Sequence, residues 1–331
     1  MKMPFTKKIA FASLCTSSHL PFARVLFDSI HKLYPNAPLF LLLVDKVAGD
    51  CSCGEITKVI PVEELKLAEL SEMVERYPNT ALCASLKPFI IQEVFNRGSD
   101  TVEGCVFFDS DIYLFSEMRE LEELVDQGVD IVLTPHISDP LFDSGRTKDI
   151  DLLKYGTFNA GFVYFANSAA SKELLAWWGD RTKKYCSEDT STGLYGDQKW
   201  LNLFPGFVEN LKVLRHQGYN AAYWNILRRK VFHLNGRWVI NGDIPLCFFH
   251  FSNLIISSPQ LLTLVSHDYP EEMSNDIPLL LREYTARVLA QGYEKYKMRP
   301  CLLREKPFAG HDPRQYRVDA ILKSAVGRVE H

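Results

Sequence analysis

Cys105-Val106-Phe107-Phe108-Asp109-Ser110-Asp111-Ile112-Tyr113-Leu114-Phe115 is an apolar run broken by two carboxylates with one small residue between them. A continuous apolar run of this length predicts a strand buried on both faces, as parallel sheets require. In extended backbone, Asp109 and Asp111 point to one side and Ser110 to the other. Two like charges at the rim of an apolar core are costly unless a divalent cation neutralises them. Open α/β sheets bind ligands beyond the carboxyl ends of their strands, where this pair falls. Hard oxygen ligands beside such a crevice point to diphosphate chemistry. A strand-end turn with solvated carboxylates gives the same local sequence, and the pair alone does not separate the two readings.

On the N-terminal side, Lys8 to Leu14 predicts a first strand and Pro38 to Val44 a second, which ends at Asp45. Between them, Phe22, Val25, Leu26, Ile30 and Leu33 recur at helical spacing behind Pro21, with Ser17 or Ser18 as cap and Pro35 as stop. A strand–helix–strand unit this short implies a right-handed crossover and a mostly parallel sheet. Ser85 to Arg97 and Glu117 to Gln127 predict helices, the second stopped by Gly128. Val129 to Thr134 and Asn159 to Phe165 predict strands, and Ser168 to Cys186 an amphipathic helix. Cys247 to Phe251 is one more apolar segment, the expected last strand of a main domain spanning 1–255. Residues 256–331 are expected to form a helical extension.

With 331 residues, the chain is long enough for one large domain or two modest ones. A net charge of -4 argues against a general nucleic-acid binder. The apolar run Ile9 to Leu14 is too short for a signal peptide, and no run is long enough to span a bilayer. The 8 cysteines show no repeated metal-binding pair, and Cys105 and Cys247 lie inside apolar runs. A reduced, cytoplasmic location is the expectation. Arg299, Arg304, Lys306, Arg314, Arg317, Lys323 and Arg328 make the C-terminal tail basic. Such a tail could rest on an anionic membrane, or could simply be a solvated helical face.

A catalytic metal needs a third ligand, and His250, set within Phe248-Phe249-His250-Phe251-Ser252, is the best candidate. Two carboxylates and an imidazole suit Mn²⁺ or Mg²⁺ and leave positions for phosphate oxygens. A hydrogen-bonded core histidine is the competing reading. Gly218-Tyr219-Asn220-Ala221-Ala222-Tyr223-Trp224-Asn225 sets aromatics beside amides. Tyr223, Trp224 and Asn225 can form a sugar-binding wall, or ordinary loop packing.

The order Phe108-Asp109-Ser110-Asp111, Phe158-Asn159-Ala160-Gly161-Phe162, Gly196-Asp197-Gln198-Lys199-Trp200-Leu201-Asn202 and Phe249-His250-Phe251-Ser252 resembles the GT-A nucleotide-sugar glycosyltransferases. It is most similar to the retaining group that includes glycogenin and the bacterial lipopolysaccharide galactosyltransferases. The resemblance covers roughly residues 6–255. It implies an α/β fold with a Rossmann-like, mixed but mostly parallel sheet flanked by helices.

Carried onto these positions, the resemblance implies that Asp109, Asp111 and His250 ligate Mn²⁺ on the donor diphosphate. Asn159 would touch the donor sugar or lie near its anomeric carbon, Asp197 would bond sugar hydroxyls, and Gln198 would face the side away from the leaving group. Cys15, Thr16, Ser17, Asp45 and Ser110 would belong to the nucleotide-sugar site. Lys87 stands where the family commonly has an arginine, and could neutralise phosphate as a point charge. The family's Gly after His-Phe-Ser is replaced by Asn253, and its Lys-Pro-Trp tail is absent. The implied partners are a nucleotide-diphosphate sugar and a glycan, lipid-linked or protein acceptor. Because Gln198 is a poor nucleophile, front-face transfer with retention is expected rather than double displacement. The rival readings are a nucleotidyltransferase or hydrolase on the same fold, and a non-catalytic glycan- or nucleotide-binding protein.

Overall fold

Along β1 (Ile9–Cys15), Ala10, Ala12 and Leu14 enter one apolar cluster, while Ile9, Phe11 and Cys15 enter another. β2 (Leu39–Leu43) divides in the same way, with Phe40 and Leu42 on the first side and Leu39, Leu41 and Leu43 on the second. Strands that alternate between two dry faces have no polar face, which is why they read as unbroken apolar runs. The structure, a computed structural model, describes residues 5–55, 57–98, 101–140, 149–257, 276–304 and 308.

The further strands among these residues are β3 (Thr57–Pro61), β4 (Gly104–Phe108), β5 (Ile112–Leu114), β6 (Ile131–Pro135), β7 (Phe158–Ala166) and β8 (Leu211–Val213). They are followed by β9 (Val231–Leu234), β10 (Arg237–Ile240), β11 (Ile244–Pro245) and β12 (Phe248–His250). Seven of them form one sheet in the order β3-β2-β1-β4-β7-β6-β8. β3, β2, β1 and β4 run parallel, as do β6 and β8, while β7 is antiparallel to both β4 and β6. The chain leaves β1 toward β2 and returns on its other side as β4. The crevice beyond Cys15 and Phe108 is therefore a topological switch point, the usual ligand position in such sheets.

The helices that cover the sheet include α1 (Leu20–Leu33), α2 (Leu70–Arg76), α3 (Asn79–Ser85), α4 (Lys87–Arg97), α5 (Arg119–Asp126), α6 (Asp149–Tyr155) and α7 (Ala169–Lys184). Leu82, Ile90, Ile91, Val94, Leu174 and Trp178 of α3, α4 and α7 fill the first cluster, and Leu26, Ile30, Leu121 and Val125 of α1 and α5 fill the second. α1 also turns Phe22 and Val25 into a third cluster, shared with Phe249, Phe251 and the helix Ile277–Ala290. There Phe251 and Tyr284 stack with ring centroids 3.6 Å apart. The chain then returns to β2, where the Leu302 N–H donates to Asp45 Oδ1 at 2.6 Å.

Several local expectations change. Neither Ser17 nor Ser18 caps α1, because a 3-10 turn over Ser17–His19 intervenes and His19 occupies the cap position. The helix expected over Ser85–Arg97 is two helices that meet at Leu86, with Pro88 in the first turn of the second. The predicted strand 105–115 is also two elements. β4 stops at Phe108, Asp109 to Asp111 form a turn closed by the Ile112 N–H on the Asp109 carbonyl at 3.2 Å, and β5 begins a separate sheet with β12. The two carboxylates converge because they share a turn, and not through strand alternation. The antiparallel sheet β9–β11 was not anticipated, although Asn235-Gly236, both at positive φ, is a strong hairpin signal. No described helix is long and apolar enough to cross a membrane. Lys306, Arg314, Arg317, Lys323 and Arg328 of the basic tail lie outside the described residues.

Candidate functional site

β5 and β12 bring the metal candidates together. Ile112 pairs with His250 across this small antiparallel sheet, and the Phe251 N–H donates to the Asp111 carbonyl at 2.9 Å. The Asp109 N–H is held by the Gly161 carbonyl of β7 at 2.8 Å. His250 Nε2 thereby stands 3.0 Å from Asp111 Oδ1 and 4.0 Å from Asp109 Oδ2. One ligand atom from each of the three residues lies within 4.8 Å of the other two.

Hydrogen bonding fixes which nitrogen of His250 is free. The Gly161 N–H donates to Asn159 Oδ1 at 3.1 Å, which identifies that atom as the amide oxygen. His250 Nδ1 lies 3.2 Å from the same oxygen and must carry a hydrogen to bond it. The Nε2 lone pair then points at two carboxylates, an arrangement of acceptors that only a proton or a cation can satisfy. A metal-binding imidazole usually donates its other N–H in this way. Two carboxylates and one imidazole form an oxygen-rich set suited to Mn²⁺ or Mg²⁺.

Lys87, the first residue of α4, is buried beneath these groups. Its ammonium forms ion pairs with Asp109 Oδ1 at 2.9 Å and Asp197 Oδ2 at 3.1 Å, and donates to the Ala160 carbonyl at 3.1 Å. Burial disfavours its charge, but Asp109 and Asp197 outweigh burial and hold its pKa above the ordinary lysine value. Burial also raises the Asp197 carboxyl, against the pull of Lys87. With two carboxylates on one ammonium, the charged arrangement is the one the geometry favours. Lys87 is thus an ion-paired strut between two carboxylates at the cavity wall.

Asp197 and Gln198 stand at the start of a 3-10 segment, Gln198–Leu203, that packs against β7. Gln198 Oε1 accepts from the Ala160 N–H and from Asn159 Nδ2, both at 3.3 Å, and its Nε2 donates to the Tyr155 carbonyl at 3.0 Å. Trp224 sets its ring edge-on to His250, with centroids 5.3 Å apart. Tyr223 Oη accepts from Asn253 Nδ2 at 3.2 Å. Asn253 itself has φ +64, a left-handed backbone that asparagine adopts more readily than most residues. Asn225 braces its own loop, accepting from the Ala222 N–H and donating to the carbonyls of Asn220 and His136.

These groups wall a cavity of about 630 Å³, a volume usual for small-molecule sites. Cys15, Thr16, Lys87, Asp109, Ser110, Asp111, Asn159, Asp197, Gln198, Tyr223, Trp224, Asn225 and His250 all line it. Ser17 and Asp45 do not: Asp45 is buried and its oxygens accept from the N–H groups of Ser17, Lys46 and Leu302. Burial pushes the Cys15 thiol pKa up, leaving a neutral wall residue. Sequence reasoning missed His136, Tyr155, Tyr195 and Arg228, which also line the cavity. His136 follows β6, whose carboxyl end shares the edge of β4, and that placement was the available signal. The aromatic pair Tyr155–Tyr195, with centroids 4.8 Å apart, left none.

No family model matches the chain. Two Bacillus subtilis (strain 168) relatives are uncharacterized. YfnF is 25% identical over 255 residues, covering 75% of this chain and 82% of its own length. YfnD is 27% identical over 256 residues, covering 74% and 78%. Glycosyltransferases are among the solved structures it resembles. The galactosyltransferase LgtC, in complex with donor and acceptor sugar analogs, matches with TM-score 0.49 and 10% identity, over 85% of this chain and 95% of that one. Mouse xyloside xylosyltransferase 1 matches with TM-score 0.44 and 14% identity, over 74% and 98%. These likenesses concern the fold.

Proposed function

We propose that the protein is a metal-dependent glycosyltransferase that moves a sugar from a nucleotide-diphosphate donor to a hydroxyl of a glycan, lipid-linked or protein acceptor, with retention at the anomeric carbon. The observation that carries this reading is the set Asp109, Asp111 and His250 Nε2, three acceptors converging at a sheet switch point beside a cavity of about 630 Å³. These residues would hold Mn²⁺ or Mg²⁺. When bound, such an ion supplies Lewis-acid stabilisation to a departing diphosphate.

The chain's own residues account for the remainder. Lys87 holds Asp109 and Asp197 in one frame, so that the diphosphate end and the sugar end of the cavity are set relative to each other. In the transfer, the bond from the anomeric carbon to the diphosphate oxygen breaks and the acceptor oxygen takes its place. The hydroxyl proton leaves with the diphosphate. Gln198 offers an amide whose oxygen is already engaged by Ala160 and Asn159, so it presents no carboxylate nucleophile. That favours attack from the face of the departing group over double displacement. Trp224 and Tyr223 offer ring surface at the wall of the cavity.

The test is a panel of nucleotide sugars with and without Mn²⁺, scored by released nucleotide and by thermal shift. The expected result is metal-dependent release from one donor, lost in Asp111→Ala. Binding of a donor without turnover in any acceptor mixture would favour the non-catalytic reading. Absence of both donor and metal binding by the folded protein would overturn the site.

A further inference from the structure

Asn159 is saturated. Its oxygen accepts from Gly161 and His250, and its Nδ2 donates to Gln198 Oε1 at 3.3 Å and to His136 Nε2 at 3.3 Å. Two acceptor positions and two donor positions exhaust what the side chain can make. It is therefore an orienting group, and its orientation depends on what holds its amino end.

His136 is one of those two holders. It sits just beyond β6, a different strand from any that carries a metal candidate. Because Nε2 accepts from Asn159, the ring hydrogen lies on Nδ1, which faces the Thr157 carbonyl at 3.3 Å. Trp224 packs edge-on to both imidazoles, with its centroid 5.2 Å from that of His136 and 5.3 Å from that of His250. The rings of His136 and His250 are thus joined twice, once through the Asn159 amide and once through the Trp224 indole. The neighbours that this linkage uses are Thr157, Asn159, Gln198, Trp224 and His250, and none of these is a carboxylate that would favour a charged His136.

We propose that His136 is a positioning residue, which acts through Asn159 to fix the tautomer and ring orientation of His250 and so sets the affinity of the Asp109–Asp111–His250 site for a divalent cation. The inference rests on the metal-site reading above, but its first readout does not. With His136 present, Asn159 presents only its oxygen to His250, which locks hydrogen on Nδ1 and leaves the Nε2 lone pair toward the carboxylates. Without it, one Asn159 N–H loses its acceptor, and the amide is held only by Gly161, Gln198 and His250 itself. The amide is then free to tilt, and the bond that keeps hydrogen on His250 Nδ1 weakens.

The experiment compares wild type with His136→Leu, which cannot accept, and His136→Gln, whose amide oxygen can. Histidine-labelled protein free of metal is examined by nitrogen NMR for the His250 tautomer, and Mn²⁺ affinity is measured separately by the loss of free-ion paramagnetic signal. Expected is hydrogen fixed on His250 Nδ1 in wild type and in His136→Gln. In His136→Leu a mixture of ring forms is expected, with Mn²⁺ affinity lower by about tenfold, the small end of the range for residues behind a ligand. An unchanged His250 tautomer in a folded His136→Leu protein overturns the proposal, whether or not metal binds. Failure of the wild type to bind Mn²⁺, with the tautomer shift present, overturns the metal reading and leaves the positioning role standing.

Discussion

A Cβ at Gly161 would come within 2.4 Å of His250 Cε1 and 2.8 Å of its Nδ1. The glycine in Phe158-Asn159-Ala160-Gly161-Phe162 is therefore the space into which the imidazole fits, with its own N–H free to hold Asn159. Gly161→Ala should displace the ring, lower Mn²⁺ affinity at least tenfold and cost about 1–3 kcal/mol as overpacking. Metal titration and urea unfolding check the two effects. Full affinity in the alanine variant would show that the ring has another place to go.

Lys87 should be expensive to remove. Lys87→Met leaves Asp109 and Asp197 facing each other with no cation, and loss of one partner from a buried pair typically costs about 3–5 kcal/mol. The lower end is expected, because Asp109 keeps 29% of its side-chain surface exposed. Adding Asp197→Asn should recover a sizeable part, since it removes the stranded charge. A double-variant cycle in urea measures the coupling, and simple additivity would contradict the strut.

Burial pushes the His136 imidazole down to about 4. The unfolded chain binds that proton near the ordinary value of about 6.5, so it gains a proton the folded protein refuses throughout the interval. The associated stability is whole above about pH 6.5 and is lost as pH falls toward 4, for a total of about 3 kcal/mol. Unfolding free energies of wild type and His136→Gln across this window should converge as the solution is acidified. Parallel profiles for the two proteins would show that His136 is not the group responsible.

The Tyr284 hydroxyl is buried and has no hydrogen-bond partner among the described residues, while its ring stacks on Phe251. Tyr284→Phe should therefore be neutral or stabilising by up to about 1 kcal/mol, because nothing is lost with the oxygen. Tyr284→Ala should cost about 3–5 kcal/mol through the cavity it opens. Melting temperatures of the two variants would separate ring from hydroxyl.

What sequence reasoning could read was whatever is periodic or local. β1, β2, β4, β6 and β7 are apolar on both faces, so composition alone marked them, and Asp109, Asp111 and His250 stood out as charge or imidazole inside such runs. The turn at Asp109–Asp111 was hidden, because β5 leaves the main sheet to pair with β12, a partner far along the chain that local patterning cannot reveal. The roles of Lys87 and Asn159 were hidden for a related reason. Lys87 reads in the sequence as a phosphate-facing cation, and only the fold brings Asp197 from beyond α7 to within 3.1 Å of its ammonium. Asn159 reads in the sequence as a residue beside the donor sugar, and only the fold sets His136 and Gln198 against its amino group. Asn235-Gly236, by contrast, is a hairpin signal legible in the sequence itself.

The third apolar cluster has a consequence for synthesis. Phe22 and Val25 of α1 are covered by Tyr284 and Val288, and Arg24 bonds the Tyr296 hydroxyl across a separation of 272 residues. A ribosome adding about 5–20 residues per second needs roughly fifteen to fifty seconds to deliver that cover. During this time the nascent chain shows one greasy face of its first helix to the cell. The protein is thus expected to depend on chaperones early, and truncations that stop before residue 277 are expected to aggregate rather than to fold as smaller enzymes.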